Sequence, residues 1–226
     1  MNGSERQLFE FVNRERAAQS LSALQWDNAL FKAARRHALL MLNLNRLEHQ
    51  FSSEPSLEDR LSETGARFTA IAENIAIGAN PQTIHAGWMD SPGHRKNILN
   101  PQLTSVGIAA VRGPGGLYAV QDFSQAIPDL SVEQQEQKVS SYLRANGFRV
   151  TATAGAAARK TCEKDSGFDG TGAKSTIRFE TADLDKLPEE VERRIRSRPL
   201  GNAAVGACRA NGAKAFTRYR IAILFF

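Results

Sequence analysis

The sequence predicts an α+β protein of two parts. In the first part, helical and strand patterns alternate without a strict strand–helix–strand order, which favours an α/β or α+β sandwich. Near residue 128 the pattern changes, because Pro128 ends a strand and Ser131 forms a capping box with Gln134 at the start of a new helix. A chain of 226 residues is long enough for two small domains. We therefore predict one domain over residues 1–127 and a second over residues 128–226.

The first part is predicted to contain helices, one extended strand and a hairpin. An apolar face that includes Leu8 and Val12 predicts a helix over 5–18, and Asp27 is placed to cap the next helix. His37 lies inside the apolar stripe of that second helix and is interpreted as a packed, hydrogen-bonded histidine. The other predicted elements are a helical stripe from Leu30 to Leu44, a short helix at Leu57–Ser62, a strand over 68–78, a helix opening at Pro81, a short helix between Pro92 and Pro101, and a hairpin that turns at 113–116.

The second part is predicted to be a small domain of four strands and two helices. Its glycine- and lysine-rich segment, 155–174, is predicted to be a loop. No internal repeat is evident in the sequence. The predicted helices run from Ser131 to about Asn146 and from Pro188 to Arg198, and the predicted strands are Phe148–Thr153, Ser175–Thr181, Ala203–Cys208 and Phe216–Phe226.

The composition is that of an ordinary globular protein. Hydrophobic residues make up 42% and charged residues 23% of the chain, which excludes a disordered one. No apolar run approaches the roughly 20 residues that a membrane-spanning helix needs, so we expect no transmembrane segment. The first residues, MNGSERQLF, lack the basic-then-apolar layout of a signal peptide. The sequence therefore leaves two compartments open: the cytoplasm, or export with the leader absent from this chain.

The net charge of +5 is confined to the second part. Residues 1–128 carry twelve Lys/Arg and twelve Asp/Glu, whereas residues 129–226 carry seventeen and twelve. A small, scattered excess of this kind is usually a solvated surface, and the alternative is attraction toward an anionic cell envelope. Nucleic acid is not expected as a partner, because no tight Lys/Arg stripe is interleaved with aromatic residues.

Both cysteines, Cys162 and Cys208, lie in the second part. They do not form a CxxC motif, and two thiols do not make a disulfide framework. We predict that they form a single disulfide, which would imply an oxidising compartment. The alternative is two unrelated buried thiols.

Four stretches in fixed order carry a resemblance to a known family. They are FVNRERAAQSLSALQW, ending at Trp26; His49 in an irregular segment; AENIAIG at 72–78; and WMDSPGHRKNILNP at 88–101, followed by VGIA. Together they resemble the short bacterial branch of the CAP superfamily (cysteine-rich secretory, antigen 5 and pathogenesis-related proteins, or SCP domain) over residues 5–126. The resemblance implies an α-β-α sandwich with a central cleft, and it does not extend to residues 129–226.

The resemblance also implies a polar site. In the family the cleft is lined by two histidines and two acidic residues; the histidines carry over to His49 and His94, and the first acid to Glu73. The position of the second acid is taken by Ser91, and the neighbouring Asp90 is displaced by about 100° on a helix. We therefore expect a triad rather than a tetrad.

The triad is compatible with three kinds of chemistry. Two imidazoles and a carboxylate form the ligand set of an open zinc site, so zinc or another divalent metal is expected to bind weakly at His49, Glu73 and His94. The same groups can act as general acid and base, or can form a purely structural hydrogen-bonded network. Covalent hydrolysis would also need a nucleophile, and the candidate serines near the histidines (Ser52, Ser53 and Ser91) have no GxSxG-like setting.

Other polar and aromatic residues near the expected cleft have two interpretations each. Trp26 and Trp88 are expected in the core rather than on a binding surface. Arg60 and Arg95 flank the cleft segments, and either is able to bind an anion, although a solvated arginine is the commoner case.

Two functions are compatible with these residues. The first is a secreted or envelope-associated binding module, whose partner is an unidentified ligand, lipid, envelope polymer or protein. The second is a His/Glu-dependent hydrolase or protease, with or without metal. A cytoplasmic interaction protein is a weaker third alternative.

Overall fold

The computed structural model of the protein describes residues 1–170, 172–210 and 217–226. Over these residues the chain forms eight α-helices and two mixed four-stranded sheets, which confirms the α+β class. It divides into two compact units, Met1–Ala126 and Ile127–Phe226, which are called here the N-terminal unit and the C-terminal unit. The boundary predicted from Pro128 lies one residue further along the chain.

The first two helices of the N-terminal unit begin where the sequence supplies capping side chains. Asn2 accepts from the amide of Glu5 in a capping box, and Asp27 accepts from the amides of Ala29 and Leu30. The elements of this unit are α1 (Gly3–Ala18), β1 (Gln25–Trp26), α2 (Asn28–Leu44), α3 (Leu57–Glu63), β2 (Phe68–Gly78), α4 (Pro81–Asp90), α5 (Pro92–Ile98), β3 (Ser105–Gly113) and β4 (Gly116–Ala126).

The sheet of this unit has the strand order β1-β3-β4-β2 and is covered on both faces. One face packs against α1, α4 and α5 through side chains that include Val12, Trp88 and Phe123. The other face packs against α2 through Met41 and Val120, among others. The α-β-α sandwich implied by the resemblance is therefore confirmed. The strand order also makes β2 an edge strand, so residues from the helices on both faces of the sheet can meet along its free edge.

The C-terminal unit differs from the sequence prediction mainly in its second helix. Residues Gly155–Glu163, predicted as part of a loop, form a helix because the run GAAARKTC contains strong helix formers and packs against a strand. The strand predicted over Phe148–Thr153 is only two residues long, and Phe216 of the last predicted strand lies outside the described residues. The elements are α6 (Val132–Ala145), β5 (Arg149–Val150), α7 (Gly155–Glu163), β6 (Ser175–Thr181), α8 (Glu189–Arg196), β7 (Asn202–Cys208) and β8 (Tyr219–Phe225).

The sheets of the two units have the same topology. The C-terminal order is β5-β7-β8-β6, which repeats β1-β3-β4-β2 strand for strand. In both sheets the short first strand pairs in parallel with the third, and the fourth pairs antiparallel with the second and the third. Each first strand follows one helix and precedes another. The described part of the chain therefore contains a structural repeat that the sequence did not reveal.

The predicted disulfide is present in the C-terminal unit. Cys162 on α7 and Cys208 on β7 are joined, with their Cα atoms 5.8 Å apart. The helix and the strand approach closely because Gly206 has no side chain: a Cβ there would lie 2.1 Å from the carbonyl carbon of Ala158. The bridge therefore fastens α7 to a strand on which it already packs tightly.

Candidate functional site

His49 and Glu73 form the centre of the candidate site. His49 lies in the connection between α2 and α3, and Glu73 lies on the edge strand β2. The Nδ1 of His49 is 2.8 Å from Oε1 of Glu73. Because a carboxylate accepts, Nδ1 donates the proton, and Nε2 keeps its lone pair while the ring is neutral. The His49 side chain is 57% exposed and that of Glu73 only 4%, so a buried carboxylate orients an exposed imidazole.

Arg60 on α3 holds the carboxylate of Glu73 from the other side. Its Nη2 donates to Oε2 of Glu73 at 2.7 Å, and its Nη1 lies 2.8 Å from Oε2 of Glu54. Arg60 and Glu73 are buried, and the side chain of Glu54 is 9% exposed. The interpretation of Arg60 as a residue that binds an external anion is therefore wrong, because its guanidinium is already shared between two buried carboxylates. Arg95 is exposed and donates to the carbonyl of Met89.

His94 reaches the site from α5, on the opposite face of the sheet. Two amide side chains fasten this helix to β2: Asn74 donates to the carbonyl of His94 at 3.2 Å, and Asn97 donates to the carbonyl of Glu73 at 3.2 Å. Asn97 also donates to Oδ1 of Asn74 at 2.9 Å. The Nδ1 of His94 is buried and has no hydrogen-bond partner among the described residues. The sequence alone did not assign Asn74 and Asn97 this positioning role.

The two site histidines have pKa values that move in opposite directions. The hydrogen bond to Glu73 is the main cause that raises the pKa of His49. Burial is the main cause that lowers the pKa of His94, and the charge of His49 lowers it further. The two rings are therefore near enough for their charges to interact, and His94 is the ring that stays neutral to lower pH.

The structure supplies a second acid that the motif did not predict. Asp122 on β4 is the cross-strand partner of Glu73 and is fully buried. No N–H or O–H donor of the described residues bonds either oxygen, so the carboxylate of Glu73 is the neighbour with which Asp122 can share a proton. Burial, followed by the charge of Glu73, raises the pKa of Asp122 well above its usual range. Asp90 and Ser91, the positions considered from sequence, instead end α4 and precede α5.

The remaining residues singled out from sequence have structural roles. His37 is fully buried, and its Nε2 donates to the carbonyl of Glu48 at 2.9 Å, which confirms that it is a packed, hydrogen-bonded histidine. Trp88 is buried and donates to the carbonyl of Ile75, as expected of a core residue. Trp26 is only partly buried and contacts the ring of Phe31.

The chemical capacity of the site is narrower than its residue types allow. Over residues 1–170, 172–210 and 217–226, no group of three or more His, Cys, Asp and Glu side chains is arranged to hold a metal ion, and the set His49, Glu73 and His94 is no exception. In the same ranges, no serine hydroxyl bonds the ring of His49 or His94. What the site offers is an oriented imidazole, a second imidazole with an unused nitrogen, and a buried pair of carboxyl groups.

The fold and these residues define a class of protein. A profile of the CAP family, the cysteine-rich secretory protein family, matches residues 9–123, about half of the chain. The chain belongs to this family.

Two Bacillus proteins place the chain among bacterial members, and a third protein shares the fold. It is 37% identical over 118 residues to YkwD of Bacillus subtilis, a match that covers 52% of this chain and 46% of that protein. An extracellular SCP-domain protein of Bacillus anthracis is 32% identical, with a TM-score of 0.50 over 54% of this chain and 40% of its own. An outer surface protein of Borrelia burgdorferi, 19% identical, has a TM-score of 0.50 over 54% of this chain and 91% of its own and shows likeness of fold alone. The chain spans less than half the length of the two Bacillus proteins.

A helix that crosses a membrane needs about 20 predominantly apolar residues. None of the helices formed by the described residues is long and apolar enough to cross a bilayer.

Proposed function

We propose that this protein is an extracellular binding module whose His49–His94 cleft takes up a divalent cation, such as zinc, weakly. The extracellular Bacillus anthracis protein, 32% identical, supports the compartment, and so does the disulfide between Cys162 and Cys208, since such bonds persist in oxidising compartments. The two imidazoles of the N-terminal unit, His49 and His94, support the ligand class. Its partner in the cell envelope, whether lipid, polymer or protein, is part of the same proposal.

The observation that carries the metal proposal is the hydrogen bond between His49 and Glu73. In metal sites, a ligating histidine usually donates its other ring N–H to a carboxylate, which sets the tautomer and raises the basicity of the ring. His49 has this arrangement, with Nε2 left for a ligand. Both oxygens of Glu73 are engaged by His49 and Arg60, so we assign Glu73 an orienting role rather than direct coordination.

The second imidazole fits the same use. The unpartnered Nδ1 of His94 is a buried polar atom that lacks, among the described residues, the hydrogen bond such atoms normally have. When bound, zinc would supply a Lewis acid. Two imidazoles with water completing the coordination make a weaker site than the three or four protein ligands of established zinc centres.

Calorimetric titration of the full chain with zinc tests the proposal. Wild type is expected to bind one ion weakly at about pH 7.5, and both His49→Ala and His94→Ala are expected to lose the binding. His85→Ala is the matched control, because this histidine lies on α4 and contacts Glu15 instead of the cleft. Binding that survives in both cleft variants would refute the site.

The orienting role of Glu73 has its own test. Glu73→Gln keeps the shape of the side chain but removes its charge, so zinc affinity is expected to fall about 10- to 100-fold. Affinity in wild type should also fall as the pH drops through the raised pKa of His49, because only the neutral ring binds metal. Unchanged affinity in Glu73→Gln would mean that the carboxylate has a structural role only.

The compartment is tested in the native host by fractionation. With an antibody against the chain, the protein is expected in the medium or the envelope fraction. Recovery only with cytoplasmic markers would contradict the extracellular part of the proposal and leave the metal site to be judged separately.

A further inference from the structure

A large cavity lies in the C-terminal unit, between α6 and α7. Its volume is about 680 Å³, within the usual range for small-molecule sites. Val150 and Val205 from β5 and β7 contribute apolar walls. The cavity belongs to the unit that does not carry the His49–His94 cleft.

The two units differ in a way that explains why this space is open. Val150 and Trp26 occupy equivalent positions, because each is the second residue of the short strand that pairs in parallel with the third strand of its sheet. In both units the backbone amide of the next residue donates a hydrogen bond to that third strand. In the N-terminal unit, Trp26 contacts Phe9 of α1 and Phe31 of α2, with ring centroids 5.7 and 5.4 Å apart. The C-terminal unit has a valine in place of the tryptophan, and its second helix begins with Gly155 and Ala156. Among the described residues, no aromatic side chain lines the groove between the first two helices.

Unused hydrogen-bond donors line this cavity. Ser140 on α6 is only 8% exposed, lines the cavity, and has no hydrogen-bond partner among the described residues. The first turn of α7 has no side-chain cap, since its N-cap residue is Ala154, and Ala156 of that turn lines the cavity. Arg144, also in the lining, forms no ion pair within the described part of the chain. A serine hydroxyl in the lining, an uncapped helix N-terminus and the exposed guanidinium of Arg144 can all bind an anion.

The carboxylates of the lining limit the charge of that anion. Oε1 of Glu136 accepts from the amide of Ala207 at 3.0 Å and from Nε of Arg159 at 2.6 Å, and Oε2 accepts from Arg159 at 2.8 Å. Glu133 lies 3.4 Å from the same guanidinium. Two acidic and two basic side chains thus line the cavity, and of these four only Arg144 forms no ion pair within the described ranges. The lining is therefore neutral overall, so a ligand with one carboxylate can bind at Arg144, whereas a polyanion would be repelled by Glu133 and Glu136.

We propose that this cavity binds a small molecule through one carboxylate group. The carboxylate is bound by Arg144, Ser140 and the amides of the first turn of α7, and the rest of the molecule packs against Val150 and Val205. This site is separate from the His49–His94 cleft and does not depend on the metal proposal.

Amide chemical shifts of the full chain, recorded during titration with acetate, test the site. Acetate is expected to shift the amide signals of Ala156 and Ala157 to saturation. Acetamide, its neutral isostere, is expected to leave them unchanged at the same ionic strength. Arg144→Gln should weaken acetate binding at least about tenfold, because a hydrogen bond to a charged group is lost, and Ser140→Ala should weaken it by less.

The control is Arg194→Gln, which removes one positive charge from α8, outside the cavity lining. It should bind acetate like wild type. The proposal is overturned if acetate gives no saturable shift, if acetamide gives the same shift, or if Arg144→Gln and Arg194→Gln behave alike. Tighter binding of inorganic phosphate than of acetate would overturn the assignment to a carboxylate.

Discussion

The guanidinium of Arg60 lies between the carboxylates of Glu54 and Glu73, and all three groups are largely removed from water. Removing charges from water is costly, and the mutual attraction offsets that cost only while every member has its partner. Glu54 also accepts from the amide of Phe51, near the segment that carries His49. The position of the His49 ring therefore depends on Arg60, which acts on it by holding Glu73.

Arg60→Ala is expected to lower the free energy of unfolding of the N-terminal unit by about 3–5 kcal/mol near neutral pH, because two buried carboxylates lose their counter-charge. The loss should shrink as the pH falls through the lowered pKa of Glu54, because the protonated group no longer needs a counter-charge. Urea unfolding followed by tryptophan fluorescence measures this, since both tryptophans, Trp26 and Trp88, lie in this unit. Arg36→Ala is the control: its pair with Glu63 is exposed, and less than about 1 kcal/mol is expected.

Asp122 makes the stability of the folded N-terminal unit depend on pH with a sign opposite to that of an ordinary surface acid. Its pKa in the folded protein is raised, mainly by burial and then by the charge of Glu73. The folded state therefore holds the Asp122 proton more tightly than the unfolded state. Stability from this residue falls as the pH rises from about 3.9, the unfolded value, through the raised folded value.

Asp122→Asn is expected to stabilise the N-terminal unit above about pH 4, because the amide does not ionise and still donates toward Glu73. The margin, which is the free energy of unfolding of the variant minus that of wild type, should widen as the pH rises. Thermal unfolding at several pH values, again followed by tryptophan fluorescence, measures the margin. Asp90→Asn changes an exposed acid in the same unit and should have little effect. A margin that narrows with rising pH would show that Asp122 is ionised in the folded protein.

At the scale of elements, the layer formed by α2 depends on a glycine in β3. A Cβ at Gly107 would lie 2.0 Å from the backbone nitrogen of Phe31 and 2.3 Å from the carbonyl carbon of Leu30. Backbone atoms cannot rotate away as a side chain can, so the whole helix would have to move. Gly107 also shares its row in the sheet with Asp122 and Glu73. A shift of α2 would therefore disturb the candidate site as well.

Gly107→Ala is expected to destabilise the N-terminal unit by more than about 3 kcal/mol, the range of severe overpacking. Gly87→Ala offers a matched control in the same unit. This glycine lies inside α4, and a methyl group added there would meet no neighbouring atom within 4 Å, so the substitution should stabilise by about 0.4–1 kcal/mol. Equal effects of the two substitutions in urea unfolding would show that α2 does not pack on β3 this closely.

At the scale of the whole molecule, two units with the same sheet topology have different chemistry. In the N-terminal sheet, Glu73, Asp122 and Gly107 lie in one row across three strands. The row with the tightly packed glycine in the C-terminal sheet contains Arg178, Ala222 and Gly206. Arg178 donates to the backbone carbonyls of Thr161 and Gly167, among others. The C-terminal unit thus keeps the close packing of a helix on the sheet but lacks an acidic pair like Glu73 and Asp122. This agrees with placing its proposed binding site elsewhere, in the cavity between α6 and α7.

Loss of the disulfide is expected to weaken the C-terminal unit selectively. The bridge closes a loop with a sequence separation of 46, for which a stabilisation of about 2–4 kcal/mol is expected. Each large core cluster is built from residues of one unit, so the double variant Cys162→Ala/Cys208→Ala should leave the tryptophan-monitored transition of the N-terminal unit unchanged. Loss of far-ultraviolet circular dichroism should move to lower urea concentration.

Thiol titration gives an independent check of the bridge. Unfolded protein, purified under oxidising conditions and kept free of reductant, is expected to show no free thiol. Two free thiols per chain would refute the bridge and remove its support for an extracellular location.

The sequence by itself determined the features that depend on short-range patterns. The capping residues Asp27 and Ser131 and the periodicity of apolar residues predict most helices and strands. Motif order identified His49, Glu73 and His94 in the N-terminal unit. The disulfide was predictable because the chain has only two cysteines. The sequence failed to predict α7, because the glycine-rich segment that contains this helix was interpreted as a loop.

Tertiary structure alone decided the features that depend on register and burial. Asp122 meets Glu73 because two antiparallel strands pair with one particular register, and a shift of one residue would turn it to the opposite face. Arg60 is excluded from ligand binding because burial places it between two carboxylates, and no local pattern indicates this. The repeated topology and the open groove beside Val150 also depend on how distant segments pair. Such pairings are set by the balance of packing over the whole sheet, which no short stretch of sequence contains.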